Sequence, residues 1–316
     1  DDLQGTWVSS TPETMIDFSA VGYFFGKRLQ EKMDVPIGLI DCSWGGSPIE
    51  AWMPEQIFQL DPQLNTAANM LPDVPWATSE PGVIFNGMIA PIIPFKISGV
   101  IWYQGESNTA NAFYYEELLE SMIINWRKSW QKHFPFYFVQ IAPFKYGRSF
   151  EGAIVRDEMR KVLDMKKTGM VVVSDIGNVE DIHPRNKHDV GKRLANLALS
   201  ENYDCDMGEV HGPLFDHFEV NGNEVVVHFR YANDGLVVKG KELIGFQLAG
   251  EDQRYYEAKA HVKGNTVLLR TDKVGKPVAV RFAFTNTSGS NLFNKEGLPA
   301  STFRTDDWHI ELKPQK

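Results

Sequence analysis

The sequence predicts an α/β domain with a parallel sheet and helices on both faces, followed by a small antiparallel β domain. Up to about residue 206, short apolar runs typical of buried strands alternate with amphipathic helical segments, as in parallel sheets. From residue 207 onwards, strand-like runs are joined by turns that contain Asn and Gly, which is typical of hairpins. We therefore expect two domains, at residues 1–206 and 207–316.

Length and composition agree with two domains. The chain has 316 residues, of which 43% are hydrophobic, enough to bury a sizeable core. Its net charge of −9 argues against nucleic acid or an anionic membrane as a partner, because binding to phosphates depends on clustered Lys and Arg. No apolar run approaches the roughly 18 residues that span a bilayer. The chain begins at Asp1 rather than Met, which predicts a processed form or a fragment.

Two predicted strands end in clusters of small and polar residues. Residues 99–103 form an apolar run without helical period, and the polar segment 104–108 follows it. Residues 37–42 form a second such run, followed by the glycine-containing segment 43–48. Ligands of open α/β sheets bind at the carboxyl ends of strands, so both segments are candidates for a site. The alternative is that both are ordinary polar turns.

The remaining pattern completes the predicted α/β half. A helix is predicted to begin at Pro12 with Thr11 as its N-cap. Residues 54–82 are rich in Pro, Asn, Asp and Thr, and such long irregular insertions tend to be functional. The further strands are predicted at residues 134–141 and 168–174.

Short signatures of cofactor and metal sites are missing from the sequence. It contains no Gly-x-Ser-x-Gly, His-Glu-x-x-His or Gly-x-Gly-x-x-Gly motif and no Gly-x-x-x-x-Gly-Lys followed by Ser or Thr, so we expect no cofactor and no metal. The two cysteines, Cys42 and Cys205, provide no disulfide framework. The other notable pair is Asp181 and His183, in which a carboxylate could orient an imidazole as general base. A polar loop that caps the next helix is the alternative. The seven other histidines are expected to be surface or packing residues: His133, His188, His211, His217, His228, His261 and His309.

Four sequence blocks carry a family resemblance. They are IGLIDCSWGGSPIEAW (37–52), NGMIAP (86–91), WYQGESN (102–108) and DIHP (181–184). In this order they resemble the sialate O-acetylesterases of the SGNH hydrolase superfamily, and NLFNKEGLPAS (291–301) extends the resemblance. The resemblance implies an SGNH-hydrolase-like, flavodoxin-like fold with three layers and a parallel sheet in the strand order 2-1-3-4-5.

The resemblance also implies a chemical mechanism. In that family a Ser nucleophile and a His base cleave an ester, while backbone N–H groups, a Gly and an Asn hold the oxyanion. The base corresponds to His183, the Gly to Gly46 (Gly45 is the alternative) and the Asn to Asn108. Asp181 is the preferred orienting acid.

Further residues complete the predicted site. Glu180, three residues before His183, is the alternative orienting acid because the superfamily usually places the acid there. Gln104, Glu106 and Trp44 are expected to bind the substrate.

The family's nucleophile block has no counterpart in this sequence. That block, Gly-Gln-Ser-Asn, follows the first strand, whereas residues 37–42 correspond to strand 2 and residues 99–103 to strand 3. We therefore expect an upstream segment or a second chain to carry the nucleophilic Ser and the strand between them. Ser107 and Ser43 are the alternative nucleophiles within the chain.

The resulting prediction is a carbohydrate O-acetylesterase that removes O-acetyl groups from sialic acid through a serine-bound acetyl intermediate. The first alternative is an esterase that deacetylates xylan or another plant polysaccharide. The second is a catalytically inactive carbohydrate-binding protein, which the missing nucleophile favours. The expected partner is an O-acetylated sugar. The expected location is the periplasm or the exterior, or a lysosome-like compartment in a eukaryote.

Overall fold

The computed structural model describes residues 5–315, which form two compact units that interleave along the chain. The first unit contains the residues up to Val139 together with Lys161–Val171 and Asn186–Met207. The second contains Gln140–Arg160, Val172–Arg185 and the residues from Gly208 onwards. The predicted boundary between residues 206 and 207 lies next to the last change of unit, but the sequence did not indicate the interleaving. The contiguous domains therefore stay a prediction.

A parallel sheet in the order β1-β2-β3 lies at the centre of the α/β fold. Its strands are β1 (Val100–Trp102), β2 (Phe136–Gln140) and β3 (Thr168–Val172). Every residue of β2 is buried, and so are the last four of β3, which explains why both appear in the sequence as continuous apolar runs. The predicted α/β fold with a parallel sheet is confirmed.

The predicted strand at residues 37–42 is not part of this sheet. These residues form no β-ladder, and in the described part of the chain β1 pairs with β2 alone. The prediction of a strand was wrong here because an apolar run becomes a strand only where a neighbouring strand takes up its backbone hydrogen bonds. The described residues thus do not form the order 2-1-3-4-5.

The first helix, α1 (Ala20–Met33), begins later than the sequence predicts. Ser19 is its N-cap, because the Ser19 hydroxyl accepts a hydrogen bond from the Gly22 N–H at 3.2 Å. Thr11 instead takes part in a turn, in which its hydroxyl accepts a hydrogen bond from the Thr14 N–H. The turn around Pro12 is therefore separate from α1.

Helix α1 packs closely on α6 (Lys187–Tyr203). Gly191 makes this approach possible, because a Cβ atom there would lie 2.7 Å from the Val21 carbonyl oxygen. The other helices are α2 (Gln56–Leu60), α3 (Pro62–Ala68), α4 (Tyr115–Ser129) and α5 (Glu151–Lys161). The insertion at residues 54–82, predicted to be irregular, therefore contains two short helices. None of the helices within residues 5–315 combines the length and hydropathy that crossing a bilayer requires.

Polar side chains bind residues 140–160 into the second unit. The Gln140 side-chain amide donates to the Ser301 hydroxyl at 2.8 Å. The fully buried Arg156 donates to the Thr302 hydroxyl at 3.1 Å and to the Thr285 carbonyl at 2.5 Å. Burial lowers the pKa of Arg156 to about 10. These partners lie more than a hundred residues away in the chain, which explains why the interleaving has no local signal.

The remainder of the second unit consists of antiparallel strands. They are β4 (Leu214–Asn221), β5 (Glu224–Arg230), β6 (Leu236–Val238), β7 (Phe246–Ala249), β8 (Tyr255–Glu257), β9 (Lys259–Lys263), β10 (Thr266–Arg270), β11 (Ala279–Phe282), β12 (Leu292–Asn294) and β13 (Phe303–Arg304). They form two four-stranded sheets, β4-β5-β10-β9 and β13-β11-β7-β8, and the pair β12-β6. Gly222 and Gly264, both at positive φ, form the turns of the hairpins β4-β5 and β9-β10, as predicted for turns that contain Asn and Gly. The hairpins are confirmed.

Candidate active site

The turn after β1 is built on a glycine and a short helix. Gly105 has φ 154° and ψ −24°, a conformation that L-residues rarely adopt. It redirects the chain from β1 into the 3₁₀ helix Glu106–Tyr114. The change of direction buries Asn108 completely and brings it beside residues of the preceding loop.

Asn108 uses its side-chain amide fully within the first unit. Its Oδ1 accepts hydrogen bonds from the Ile49 N–H at 3.0 Å and the Gln104 amide at 2.8 Å. Its Nδ2 donates to Glu50 Oε2 at 2.9 Å and to Asn111 Oδ1 at 3.1 Å. Asn108 thereby joins the turn after β1 to the helical turn Ile49–Trp52.

Glu50 is a buried carboxylate at the centre of this arrangement. Its Oε1 accepts a hydrogen bond from Asn111 Nδ2 at 2.6 Å, and its side chain has no exposed surface. Burial raises the pKa of Glu50, and the hydrogen bonds from Asn108 and Asn111 offset only part of that rise. We call Glu50, Asn108, Asn111, Gln104 and Tyr115 the Glu50 network.

Gln104 is the half-buried member of the Glu50 network. Its Oε1 accepts a hydrogen bond from the Tyr115 hydroxyl at 2.9 Å, and its Nε2 also approaches the Ser47 carbonyl at 3.2 Å. Tyr115 is fully buried, and burial raises its pKa. The Gln104 side chain is therefore held in one orientation from both of its ends.

The glycine pair of the 43–48 loop is exposed beside this network. Gly46 has φ 77°, and a Cβ atom there would lie 2.7 Å from the Trp76 ring. Both facts favour glycine at this position. The Ser107 hydroxyl donates to the Gly46 carbonyl at 2.9 Å and so joins the two predicted site segments.

The two serines considered as nucleophiles have their hydroxyl protons directed to other acceptors. Ser107 donates to a backbone carbonyl, which cannot act as a base, and Ser43 donates to the Asp41 carboxylate. Trp44, with 49% of its surface exposed, and the half-buried Glu106 are the remaining predicted residues of the first unit. The negative charge of Glu106 adds to burial in raising the pKa of Tyr103.

Asp181 and His183 lie in a tight turn of the second unit. Asp181 Oδ1 accepts a hydrogen bond from the His183 backbone N–H at 3.0 Å. The distance from this oxygen to His183 Nδ1 is 3.9 Å, longer than a hydrogen bond. The His183 side chain is 88% exposed, so the imidazole can rotate towards Asp181 without displacing a packed neighbour.

The alternative acid, Glu180, has a different partner. Its Oε1 lies 2.5 Å from Lys145 Nζ in an exposed ion pair. Of the two acids, Asp181 is thus the one near the imidazole of His183. The predicted site residues therefore fall into two sets, with Asp181 and His183 in the second unit and the other five in the first: Trp44, Gly46, Gln104, Glu106 and Asn108.

Glu50, Asn111 and Tyr115 were not predicted from the sequence as members of the network around Asn108. Glu50 gave one usable signal, because it is an acidic residue among the apolar residues Ile49, Ala51 and Trp52, where a charge needs buried partners. Its partner amides lie about sixty residues away in the chain, so no local pattern connects them.

This chain is similar to known carbohydrate esterases. Residues 8–200 match the family model described as carbohydrate esterase, sialic acid-specific acetylesterase. The sialate O-acetylesterases of Pongo abelii and Homo sapiens are each 28% identical over 314 residues, which cover 90% of this chain. A crystal structure of a carbohydrate acetylesterase from Xanthomonas citri superposes with a TM-score of 0.86 at 38% identity, over 97% of this chain.

The chain is shorter than these relatives. It spans 60% of the length of the Pongo abelii and Homo sapiens proteins and 69% of the Xanthomonas citri chain.

Proposed function

Because this chain belongs to the carbohydrate esterase family of sialic acid-specific acetylesterases, we propose that it is a carboxylic-ester hydrolase that removes O-acetyl groups from carbohydrates. The observation that carries the proposal is the family match over residues 8–200, which includes Gly46, Asn108 and His183. The match to the acetylesterase structure over nearly the whole chain supports it.

The proposed reaction proceeds through an acetylated serine. A serine Oγ attacks the acetyl carbonyl carbon while His183 takes the serine proton, and the bond from that carbon to the sugar oxygen then breaks. His183 returns the proton to the sugar oxygen, which leaves as the alcohol. A water molecule, deprotonated by His183, next attacks the acetyl carbon of the acetyl-serine. The bond from that carbon to the serine Oγ breaks, His183 returns the proton to Oγ, and acetate leaves. Asp181 stabilises the imidazolium that forms in both steps.

Gly46 and Asn108 are assigned to the oxyanion. The Gly46 N–H belongs to an exposed loop at positive φ, which suits a close approach to substrate. Asn108 Nδ2 already donates to Glu50 and Asn111, so its part in the proposal requires it to exchange the longer bond, to Asn111, for the oxyanion. Gln104, Glu106 and Trp44 are assigned to binding the sugar.

The nucleophilic serine is proposed to come from a segment or chain that adds a strand beside β1. Val100 and Ile101 are only half-buried, unlike all five residues of β2. Ile40, also in the first unit, is 40% exposed, and in the described residues the 37–42 segment has no ladder partner. A strand between 37–42 and β1 would bury these apolar side chains and satisfy the backbone groups of both.

Sialic acid is the first candidate for the sugar, because curated relatives that cover most of this chain are sialate O-acetylesterases. The second candidate is an acetylxylan-type polysaccharide. The Xanthomonas citri protein, at 38% identity, is a carbohydrate acetylesterase, so a second class of acetylated carbohydrate is tested beside sialic acid. Acetate release from O-acetylated sialic acid and from acetylated xylan, measured side by side, separates the two.

A periplasmic or secreted location, or a lysosome-like compartment in a eukaryote, is part of the same proposal. Cys42 and Cys205 are both free thiols in the structure, so an oxidising compartment is not a requirement of the fold. Fractionation of the native host, followed by detection of the protein in each fraction, tests the location.

The central experiment compares His183→Ala with the matched control His309→Ala in the full-length native protein. Both histidines are exposed, and only His183 is assigned a proton-transfer role. His183→Ala is expected to lower kcat for acetyl-ester hydrolysis by about 10²–10⁴-fold, with an unchanged melting temperature. Equal activity of the two variants would contradict the assignment. A full-length wild-type protein that binds acetylated sugar without releasing acetate would favour the inactive binding protein.

The origin of the nucleophile is tested separately. A fluorophosphonate probe reacts covalently with the activated serine, and peptide mass spectrometry then identifies the labelled residue. The expected label lies on a serine outside residues 1–316. A label on Ser107 or Ser43 would overturn the added-strand proposal and leave the esterase proposal intact.

A further inference from the structure

A β-bulge in the second unit brings two histidines opposite each other. Strand β4 pairs with β5 through Phe215 and Phe229 and again through Phe218 and Val227. Two residues of β4 therefore lie across from His228 alone, which is a bulge. The second of these is His217, whose ring stacks on that of His228 at 4.2 Å between centroids.

Glu219 completes a three-residue group on the same face of the sheet. It lies two residues after His217 on β4, so both side chains point to one side. The distances from Glu219 Oε1 to His217 Nε2 and to His228 Nε2 are both 3.9 Å. The three ligand atoms all lie within 4.8 Å of one another.

We propose that His217, Glu219 and His228 bind a divalent transition-metal ion, with Zn²⁺ as the ion that suits them best. Two imidazoles and a carboxylate are a typical zinc ligand set, whereas Ca²⁺ and Mg²⁺ prefer oxygen ligands. In a tetrahedral site with bonds near 2.05 Å, ligand atoms are about 3.3–3.4 Å apart. The observed 3.9 Å requires a contraction of about half an ångström, well within side-chain motion on a surface.

The imidazole planes must also change their relative angle. They are 8° from parallel, and a metal ion lies in the plane of each ring that binds it. His217 is 53% exposed, so its ring can tilt towards the ion while His228, 29% exposed, stays in place. The arrangement therefore closes around an ion through the motion of two exposed side chains, those of His217 and Glu219.

Two further observations point to a ligand for these nitrogens. The first is that His217 Nδ1 lies 2.9 Å from Asp216 Oδ2. This hydrogen bond favours the proton on Nδ1 and leaves the lone pair of Nε2 for a metal, as carboxylates do beside metal-bound histidines. The second is that His228 Nε2 is buried and has no hydrogen-bond partner in the described part of the chain. A metal ion would satisfy this nitrogen.

The site was not predicted from the sequence, where both histidines were expected to be surface or packing residues. Metal motifs have a fixed spacing because their ligands share one helix or loop, whereas ligands on two strands of a bulged hairpin have none. Three protein ligands leave at least one position for water. The inference is independent of the esterase proposal.

The test is a calorimetric titration of chelator-treated full-length protein with zinc chloride. We expect saturable binding of one equivalent. His217→Ala and His228→Ala should abolish it, and Asp216→Asn should weaken it by about 10–100-fold through the orienting hydrogen bond. The matched control is His261→Ala, an exposed histidine on β9 of the same sheet, which should bind as the wild type does.

Cobalt provides a second readout, because the visible absorption of bound Co²⁺ reports ligand number and type. The proposal is overturned if zinc does not saturate one site, or if the control and His228→Ala lose zinc affinity equally. Circular dichroism checks the fold of each variant. If His228→Ala unfolds, the half-exposed His217→Ala and Asp216→Asn decide the question.

Discussion

Each unit contains a buried carboxylate, and the two are stabilised in opposite ways. Glu50 in the first unit is fully buried and accepts hydrogen bonds from the neutral amides of Asn108 and Asn111. Asp306 in the second unit has no exposed side-chain surface and receives two hydrogen bonds from the Arg281 guanidinium, at 2.8 and 3.0 Å. One carboxylate is therefore paired with dipoles only, and the other with a full positive charge.

The pKa directions follow from this difference. Burial raises the pKa of Glu50, and its amide partners do not reverse the effect. Burial alone would also raise the pKa of Asp306, but hydrogen bonds from Arg281 and Tyr255 and the charge of Arg304 hold it below its ordinary value of 3.8. The guanidinium of Arg281 compensates Asp306 for its lost hydration. The neutral amides orient Glu50, but burying its negative charge still has a net free-energy cost. The costly arrangement is the one beside the candidate oxyanion residue.

Removal of Asp306 is expected to have the largest effect. In Asp306→Ala the guanidinium of Arg281 would remain buried without its partner, and the Tyr255 hydroxyl would lose its acceptor at 2.6 Å. Breaking a buried ion pair by removing one member costs about 3–5 kcal/mol of unfolding free energy. Urea unfolding at neutral pH measures the loss.

The matched control for this prediction is Asp307→Ala, which removes an exposed carboxylate one residue away. It is expected to change the unfolding free energy by less than about 0.5 kcal/mol. Equal losses of unfolding free energy in Asp306→Ala and Asp307→Ala would mean that the ion pair with Arg281 makes no specific contribution to stability.

Glu50→Ala is expected to have a smaller effect on stability and a larger one on the candidate site. Two buried amides, of Asn108 and Asn111, would each lose an acceptor, at a combined cost of about 2–4 kcal/mol. Asn108 would lose one of its four hydrogen bonds and be oriented less firmly, so acetyl-ester turnover by the full-length protein should fall even where the variant is fully folded. Glu31→Ala, an exposed residue of α1, is the control. Unchanged turnover would show that Asn108 does not need this support.

Local sequence patterns predicted the elements whose conformation depends on residues close together in the chain. The hairpin turns at Gly222 and Gly264 require positive φ. A Gly next to an Asn in the sequence indicates a turn of this kind. The apolar strands β2 and β3 were predictable because burial on both faces demands an uninterrupted apolar run. Residues 37–42 have the same appearance, yet they form no strand, because pairing depends on a neighbour that the run itself does not specify.

The candidate site was predictable only as far as its segments. The polar segment after β1 and the glycine pair were both predicted as parts of the site, and the hydrogen bond from Ser107 to the Gly46 carbonyl joins them, while the roles of Gly46 and Asn108 stay a prediction. The role of Glu50 depends on contacts with residues that are distant in the sequence. The position of His217 across from His228 depends on a β-bulge. Neither feature has a fixed spacing in the sequence.

The dependence of stability on pH is the smallest expected effect. It is also the sharpest test of the comparison between Glu50 and Asp306. The raised pKa of Glu50 means that the folded state holds this proton more tightly than the unfolded chain. Unfolding free energy therefore falls as pH rises above the ordinary value of 4.5 and through the raised pKa. Glu50→Gln cannot ionise, so its stability relative to the wild type should improve over that window.

Asp306 should behave in the opposite sense. Its lowered pKa means that the unfolded chain binds the proton more tightly, so its contribution is present above pH 3.8 and is lost as pH falls through the folded-state pKa. The deficit of Asp306→Asn relative to the wild type should accordingly shrink on acidification. Urea unfolding of both variants across pH 2–8, with the wild type at each pH, measures the two slopes. If both differences change with pH in the same direction, neutral amides and a guanidinium solvate these carboxylates alike, and the contrast between the two units is wrong.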